Sequence, residues 1–348
     1  MKRLGVIAIY DKVGKIDTYI DYLISSMSKI SHKLVVIING SIQKEDYARI
    51  HNYASQIFIR ENYGFDAGAY REFFLNYIPQ KEWAAYDEVI LMNDTFYGPI
   101  YSPESIWGIF KQDEADFWGM TRHPGGVYPG GQSMPSHIQG YFLVIGKKVL
   151  RSEEFLAFWK GLPDLYDIQD AIKEFEVRFT SYFEACGFTG KTLMDVGSPN
   201  LEIAYNENPY FAYNLYLIRD KKIPFLKKKS LFFQATGYVE TIDAIEYIEK
   251  EKLYDTSLIW DNIFRLCREK QFQSVFDYDK LEKFYESHNR IFIYGAGKYG
   301  QRIRRYFEYR KWKYECFLVS RKEDEAEGCV RYCNITFEPS DGIIMALN

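Results

Sequence analysis

The stretch Asp87-Glu88-Val89-Ile90-Leu91-Met92-Asn93-Asp94-Thr95 decides how the chain is read. Its apolar run is too short for a core helix and reads as a strand buried on both faces, with polar residues delivered at its end. A strand of this kind presents a carboxylate at a sheet edge without burying an unpaired charge. The pattern recurs on the N-terminal side. Leu4-Gly5-Val6-Ile7-Ala8-Ile9-Tyr10 is closed by Asp11 and Gly14, Leu34-Val35-Val36-Ile37-Ile38 ends at Asn39-Gly40, and Gln56–Arg60 makes a further strand. Between them, Ile16, Tyr19, Ile20, Leu23, Ile24 and Met27 recur at helical spacing, and helices are expected over 44–55 and 62–78, the last stopped by Pro79. Alternating strands and helices predict an α/β fold, a mainly parallel sheet with helices on both faces. Ligands of such sheets bind beyond the carboxyl ends of the strands. Asp11, Asn39, Asn62 to Asp66 and Asn93-Asp94 are therefore expected to meet on one edge.

Composition narrows the function. The 348 residues carry a net charge of −4, so no basic field argues for nucleic acid, and Lys221-Lys222 with Lys227-Lys228-Lys229 is a local exception. Aromatic residues reach 18%, with 30 Tyr and 26 Phe. That excess suits either a sugar-binding surface or an aromatic core. No run approaches the length of a membrane span, and the N-terminus lacks a signal-peptide pattern. Cys186, Cys267, Cys316, Cys329 and Cys333 are scattered, which fits a reducing cytoplasm. Cys329 and Cys333 have no second Cys/His pair at zinc-site spacing and read as plain cysteines.

Three domains are expected: residues 1–240, a helical linker over 241–287, and a small Rossmann-like segment, read as truncated, over 288–348. In the last, Gly295-Ala296-Gly297-Lys298-Tyr299-Gly300 follows a strand and precedes a helix, which marks Gly295, Gly297 and Gly300 as a nucleotide loop. The acid expected on a ribose is missing, because the next strand ends in Ser320-Arg321-Lys322. NAD is therefore not the expected cofactor. Residues 122–136, rich in Gly and Pro, read as a mobile flap over the site, with a solvent loop as the alternative.

Three constellations carry chemistry. Asp94 could hold a divalent cation with a neutral oxygen from Asn93 or Thr95, or the triplet could be a turn. The run Arg60-Glu61-Asn62-Tyr63-Gly64-Phe65-Asp66-Ala67-Gly68-Ala69-Tyr70-Arg71 lets backbone approach a ligand at a helix start, or places an N-cap aspartate. Phe175, Phe179, Phe183 and Cys186 form one helical stripe ended by Gly187. Glu176 stands beside the stripe, where partial burial would raise its pKa toward that of a general base; the alternative is a solvated helix glutamate.

These residues, in order, resemble the rhamnan synthesis F family. The resemblance runs from Glu61-Asn62-Tyr63-Gly64-Phe65-Asp66-Ala67-Gly68-Ala69-Tyr70 through Leu91-Met92-Asn93-Asp94-Thr95-Phe96-Tyr97-Gly98-Pro99 to Asp116-Phe117-Trp118-Gly119-Met120-Thr121. It continues in His137-Ile138-Gln139-Gly140-Tyr141-Phe142-Leu143, in Glu154-Phe155 with Phe158-Trp159, and in Pro224-Phe225-Leu226-Lys227. The resemblance implies a GT-A-like glycosyltransferase of cell-surface polysaccharide synthesis, inverting and assisted by Mg²⁺ or Mn²⁺, with dTDP-L-rhamnose as the donor suggested by the family name. Asn93-Asp94-Thr95 would stand at the metal motif; its single acid leaves the cation weakly held or dispensable. Glu176 would be the base, although Phe175 replaces the acid that usually precedes it. Tyr10, Asp11, Asn39, Asn62, Gly64, Asp66, Asn93 and Asp94 would hold the donor. His137, Gln139 and Lys227 with its lysine neighbours would contact acceptor or diphosphate, with an anionic membrane surface as another partner for the lysines; the alternatives are a core or cap histidine and a solvated charge run. The implied acceptor is lipid-linked or polysaccharide, and the implied place is the cytoplasm, peripheral on the inner leaflet. Two other readings stay open: an NAD(P)-dependent oxidoreductase on the C-terminal loop, and a non-catalytic glycan- or nucleotide-binding assembly subunit.

Overall fold

The computed structural model describes residues 1–107, 114–127, 133–195, 208–231, 238–271 and 277–346. The centre of the expected flap, 128–132, lies outside them. The chain forms two compact units, Met1–Asp255 and Thr256–Asn348.

In the first unit, β1 (Arg3–Tyr10), β2 (Lys33–Asn39), β3 (Gln56–Arg60) and β4 (Glu88–Asn93) are parallel, as their apolar runs predict. Three further strands, β5 (Phe117–Gly119), β6 (Phe142–Gly146) and β7 (Gly190–Thr192), complete a sheet of order β7-β5-β6-β4-β1-β2-β3. Strand β6 runs antiparallel to both neighbours, and β7 is parallel to β5. The register aligns Tyr10 with Asn39, Asn39 with Arg60, and Ala8 with Asn93. The polar strand ends therefore lie along one edge. Because β6 is reversed, its start reaches that same edge, where Phe142 pairs with Met92 and Asn93 N–H donates to the carbonyl of Tyr141 at 3.2 Å.

Both sheet faces are covered. Leu4, Val6, Ala8, Val35, Ile37, Val89 and Leu91 face one large core. The alternate residues Ile7, Ile9, Val36 and Ile38 are equally buried, and α1 (Thr18–Ile30) packs on β1 and β2 with Ile20, Leu23, Ile24 and Met27 buried. The large core is aromatic. Phe74, Trp83, Phe155 and Trp159 meet edge to face or tilted, and Phe175, Phe179 and Phe183 extend the cluster. Much of the phenylalanine excess is thus core packing.

Local geometry refines the expected helices. The helix expected over 44–55 is α2 (Lys44–His51), shortened because β3 starts at Gln56. The one expected over 62–78 begins as α3 (Phe65–Glu72) after Gly64 and Phe65, at φ +71° and +57°, and widens into a π turn at Phe73–Tyr77. Helix α4 (Glu153–Lys160) is capped by Ser152, whose hydroxyl accepts from Phe155 N–H at 3.2 Å. The helix carrying Glu176 is a π turn, Ile172–Val177, followed by α5 (Arg178–Ala185). Helix α6 (Tyr238–Lys250) closes the unit.

The stretch read from sequence as one linker is divided between the units: α6 belongs to the first, while α7 (Ser257–Arg268) and α8 (Tyr278–Glu286) belong to the second. Ile259, Ile263 and Phe264 of α7 are buried, and the Phe264 ring meets Tyr278, Tyr306 and Tyr309 of the same unit. There β8 (Arg290–Tyr294), α9 (Lys298–Arg310), β9 (Phe317–Val319), β10 (Cys329–Arg331) and β11 (Asp341–Met345) build an all-parallel sheet of order β10-β9-β8-β11.

Candidate functional site

Asn93 and Asp94 close β4 and start a tight polar network. Asn93 Nδ2 donates to Asp66 Oδ2 at 2.7 Å, which ties the end of β4 to the start of α3. Asn93 Oδ1 accepts from Thr95 N–H at 3.2 Å and from Thr95 Oγ1 at 2.7 Å. The turn expected of this triplet is therefore present, and it is anchored to the second constellation. Gly68 allows the approach: a Cβ there would lie 2.4 Å from the carbonyl oxygen of Tyr63.

Two lysines enter from the far end of the unit. Leu226 and Lys227 pair antiparallel with Phe96 and Tyr97, which brings the lysine run beside Asp94. Lys227 Nζ donates to Thr95 Oγ1 at 3.1 Å and lies 4.8 Å from the Tyr141 ring centroid. Lys228 Nζ donates to the Tyr19 hydroxyl at 2.5 Å and is 3.5 Å from Asp94 Oδ2. Tyr19 also reaches the backbone carbonyl of Asp94 at 3.3 Å. Burial raises the Asp94 carboxyl above its ordinary range, and Lys228 opposes that rise.

Glu176 faces this group. Its side chain is 24% exposed, and Gly140, whose Cβ would lie 3.5 Å from Glu176 Cγ, leaves the space. Burial lifts its carboxyl to about 7, opposed by Lys227 and reinforced by Asp66. Burial likewise lowers the Lys227 ammonium to about 8, against the pull of Glu176. His137 Nε2 is 3.7 Å from Glu176 Oε1. Burial holds the His137 pKa down, and its Nδ1 lies 2.9 Å from the carbonyl of Pro135. A carbonyl only accepts, so Nδ1 carries the proton in the neutral ring and Nε2 is left as an acceptor. An acceptor beside Glu176 suits the protonated carboxyl, in keeping with the raised pKa. His123 stacks on His137 at 5.2 Å and is depressed to about 4 by burial.

Other sequence candidates are placed differently. Tyr10 lies at the edge and is 47% exposed. Asp11 Oδ1 accepts from Val13 N–H at 3.0 Å and Lys15 N–H at 3.1 Å, so it shapes the loop after β1. Asn39 is buried: its Nδ2 donates to the Phe65 carbonyl at 3.1 Å and its Oδ1 accepts from Arg60 at 2.7 Å, which fixes α3 against β2. Asn62 is exposed and Gly64 is buried. Gln139 is buried and accepts from Thr121 Oγ1 at 2.7 Å, in a hydroxyl chain that runs through Tyr141 to Tyr210.

Sequence reasoning missed two participants, Tyr19 and Tyr70. Tyr19 falls on the apolar stripe of α1 and reads as core. Lys228 reads only as a lysine neighbour of Lys227, in a charge run whose facing no periodicity assigns. Tyr70 is fully buried, and its hydroxyl, which has no hydrogen-bond partner among the described residues, is raised well above its ordinary pKa by burial and then by Asp66 and Asp94. Only an unpaired tyrosine hydroxyl next to two acids identifies it, and sequence does not show that.

The donor set around Asp94 suits a hard divalent cation poorly. One carboxylate can suffice for Mg²⁺ when water and phosphate complete the shell. Here that carboxylate already faces an ammonium group, and the oxygens of Asn93 and Thr95 are engaged with each other. No group of three or more His, Cys, Asp or Glu among the described residues could hold a metal.

In the second unit, a cavity of 620 Å³ opens at the carboxyl ends of β8 and β9. Its lining includes Gly295, Gly297, Ser320, Arg321 and Asp324. A Cβ on Gly300 would lie 1.9 Å from the Gly295 carbonyl oxygen, so the loop and the first turn of α9 are in close contact. Asp324 lines the cavity, yet it accepts from Arg321 at 2.9 and 3.0 Å.

Comparison with known proteins gives several likenesses. Among solved structures, the chain is similar to a cytidylyltransferase from Leptospira borgpetersenii, with 11% identity, 73% of this chain and 96% of that one covered, and a TM-score of 0.33. It is similar to glucosyl-3-phosphoglycerate synthase from Mycobacterium tuberculosis in complex with Mn²⁺, uridine diphosphate and phosphoglyceric acid, with 11% identity, 42% and 57% coverage and a TM-score of 0.26. It is also similar to the mannosyltransferase Ktr4p from S. cerevisiae in complex with GDP, with 9% identity, 53% and 66% coverage and a TM-score of 0.30. A curated relative, the uncharacterized protein y4gN of Sinorhizobium fredii, is 26% identical over 185 residues, which are 53% of this chain and 46% of that protein. The chain thus spans about half the length of the curated relative it matches. The family model described as rhamnan synthesis protein F matches residues 34–334, and the chain belongs to that family.

Proposed function

We propose that the chain is a nucleotide-sugar glycosyltransferase that lengthens a cell-surface polysaccharide by inverting displacement. One observation carries the reading: a carboxyl held near 7, Glu176, faces a strand end where the carboxylates of Asp66 and Asp94, the amide of Asn93 and the ammonium of Lys227 meet. Family membership supports the same reaction class. Asp66, Asn93 and the backbone at Gly64 would contact the nucleoside and sugar. Tyr10 would offer a flat face at the rim.

In the reaction, the acceptor hydroxyl oxygen forms a bond to the anomeric carbon while the bond from that carbon to the diphosphate oxygen breaks. The hydroxyl proton passes to Glu176, and the nucleoside diphosphate leaves with the bonding electron pair. A base with a pKa near the working pH is suited to this transfer. The protonated acid then faces His137 Nε2, an acceptor. L-Rhamnose from dTDP-L-rhamnose is the donor we assign, on the family's description alone. The acceptor we assign is a polysaccharide on a lipid carrier, reached from the inner face of the membrane. No helix among the described residues is long and apolar enough to cross a membrane.

The test is a donor screen for hydrolysis and transfer across nucleotide sugars, dTDP-L-rhamnose included, with wild type and Glu176→Gln. Turnover of one donor, lowered in the variant, supports the reading. Equal turnover in both removes Glu176 as base, and no turnover of any donor removes the enzyme.

A further inference from the structure

The glycosyltransferase reading leaves one problem, which is how the charge on the departing diphosphate is met. Asp94 is the only acid at the expected metal motif, and Lys228 Nζ lies 3.5 Å from its Oδ2. The Lys228 side chain is 12% exposed and that of Asp94 is 14% exposed, so the ammonium is held in place rather than free in solvent. A divalent ion on Asp94 would have to displace this ammonium or share the carboxylate with it. Lys227 Nζ donates to the Thr95 hydroxyl at 3.1 Å. Lys229, which is exposed, adds positive charge that is felt at both Glu176 and Lys227. Two half-buried ammonium groups thus flank the end of β4, on a segment fixed by backbone pairing with Phe96 and Tyr97. Lysine binds phosphate oxygens as a point charge with three donors, which is the task a bridging cation otherwise performs.

We infer that Lys227 and Lys228 hold the diphosphate of the donor, and that its binding does not require a divalent cation. The inference rests on the glycosyltransferase reading of the same site. It assigns Asp94 the role of positioning Lys228 rather than of ligating metal.

The experiment is calorimetric titration of the full chain with UDP, dTDP, GDP and CDP, each in EDTA and in excess Mg²⁺ or Mn²⁺. One nucleotide is expected to bind with dissociation constants that agree within about threefold between the conditions. Lys227→Met and Lys228→Met are expected to weaken it by about tenfold or more each, as loss of a charge-assisted contact does, while Lys228→Arg retains most of the affinity. Thermal melting checks that the variants fold; if a methionine variant does not, the comparison of wild type in EDTA and in metal decides alone. Binding seen only with Mg²⁺ or Mn²⁺ overturns the inference and leaves the glycosyltransferase reading intact. Binding of no nucleotide in either condition overturns both.

Discussion

Glu176 and Lys227 set the limits within which the proposed site can work. The base must be ionised, so activity rises as pH climbs through about 7, where burial has placed the Glu176 carboxyl. The ammonium must stay protonated to attract diphosphate, so activity falls as pH climbs through about 8, where burial has placed Lys227. The expected profile of kcat/KM is a narrow bell between these values, measured by initial rates over the pH range. A profile flat from about pH 5 to about pH 9 would remove both assignments. Glu176→Gln is expected to lower kcat by about 10² to 10⁴-fold while nucleotide affinity is kept. Loss of affinity with unchanged kcat would instead place Glu176 in binding. At this scale the sequence was informative where polar residues end apolar strands: Asn93, Asp94 and Asp66 could be picked out before any coordinates. Tyr19 could not, because a tyrosine on a helical stripe looks like core, and its ring is indeed 2% exposed while only its hydroxyl reaches Asp94.

Helix α3 and the π turn around Glu176 show why element types were more legible than element shapes. The small residues at positions 64, 67, 68 and 69 pointed to a close approach, and the structure shows the approach is between two backbone segments of the site itself. Gly68→Ala is expected to cost about 1–3 kcal/mol, because the new methyl meets a backbone carbonyl that cannot rotate away. Urea unfolding would measure the loss. The same change should weaken nucleotide binding through the Asp66–Asn93 bond; full affinity in this variant would separate the loop from the site. The four-residue spacing of Phe175, Phe179 and Phe183 reads as ordinary helix. It does not reveal the extra residue of the π turn, a feature often found at functional sites. Trp159→Ala, in the aromatic core behind this turn, is expected to cost about 3–5 kcal/mol by the same measurement.

For the whole molecule, the parallel half of the sheet was legible because β1, β2 and β4 are continuous apolar runs. The reversed strand β6 was not, since periodicity carries no strand direction. Strand direction decides the site, because it brings Gly140 and Tyr141 to the edge where Asn93 ends. Every candidate donor and catalytic residue outside the C-terminal loop lies in Met1–Asp255. A chain ending at Asp255 is therefore expected to bind the same nucleoside diphosphate as the full chain. Titration of the shortened chain checks this, and lost binding with a preserved melting transition would place part of the site in the second unit. The short antiparallel pairing of Leu226 and Lys227 with Phe96 and Tyr97 has a consequence for inherited variation. Neighbouring residues in a paired strand point to opposite sides, so deletion of a single codon between Ile223 and Leu226 would exchange which residues face the end of β4. Single-residue replacements there alter one contact each, whereas a frame-preserving deletion or insertion would change at once which charges stand beside Asp94 and Thr95. This stretch should accordingly vary among descendants in residue type and stay constant in length.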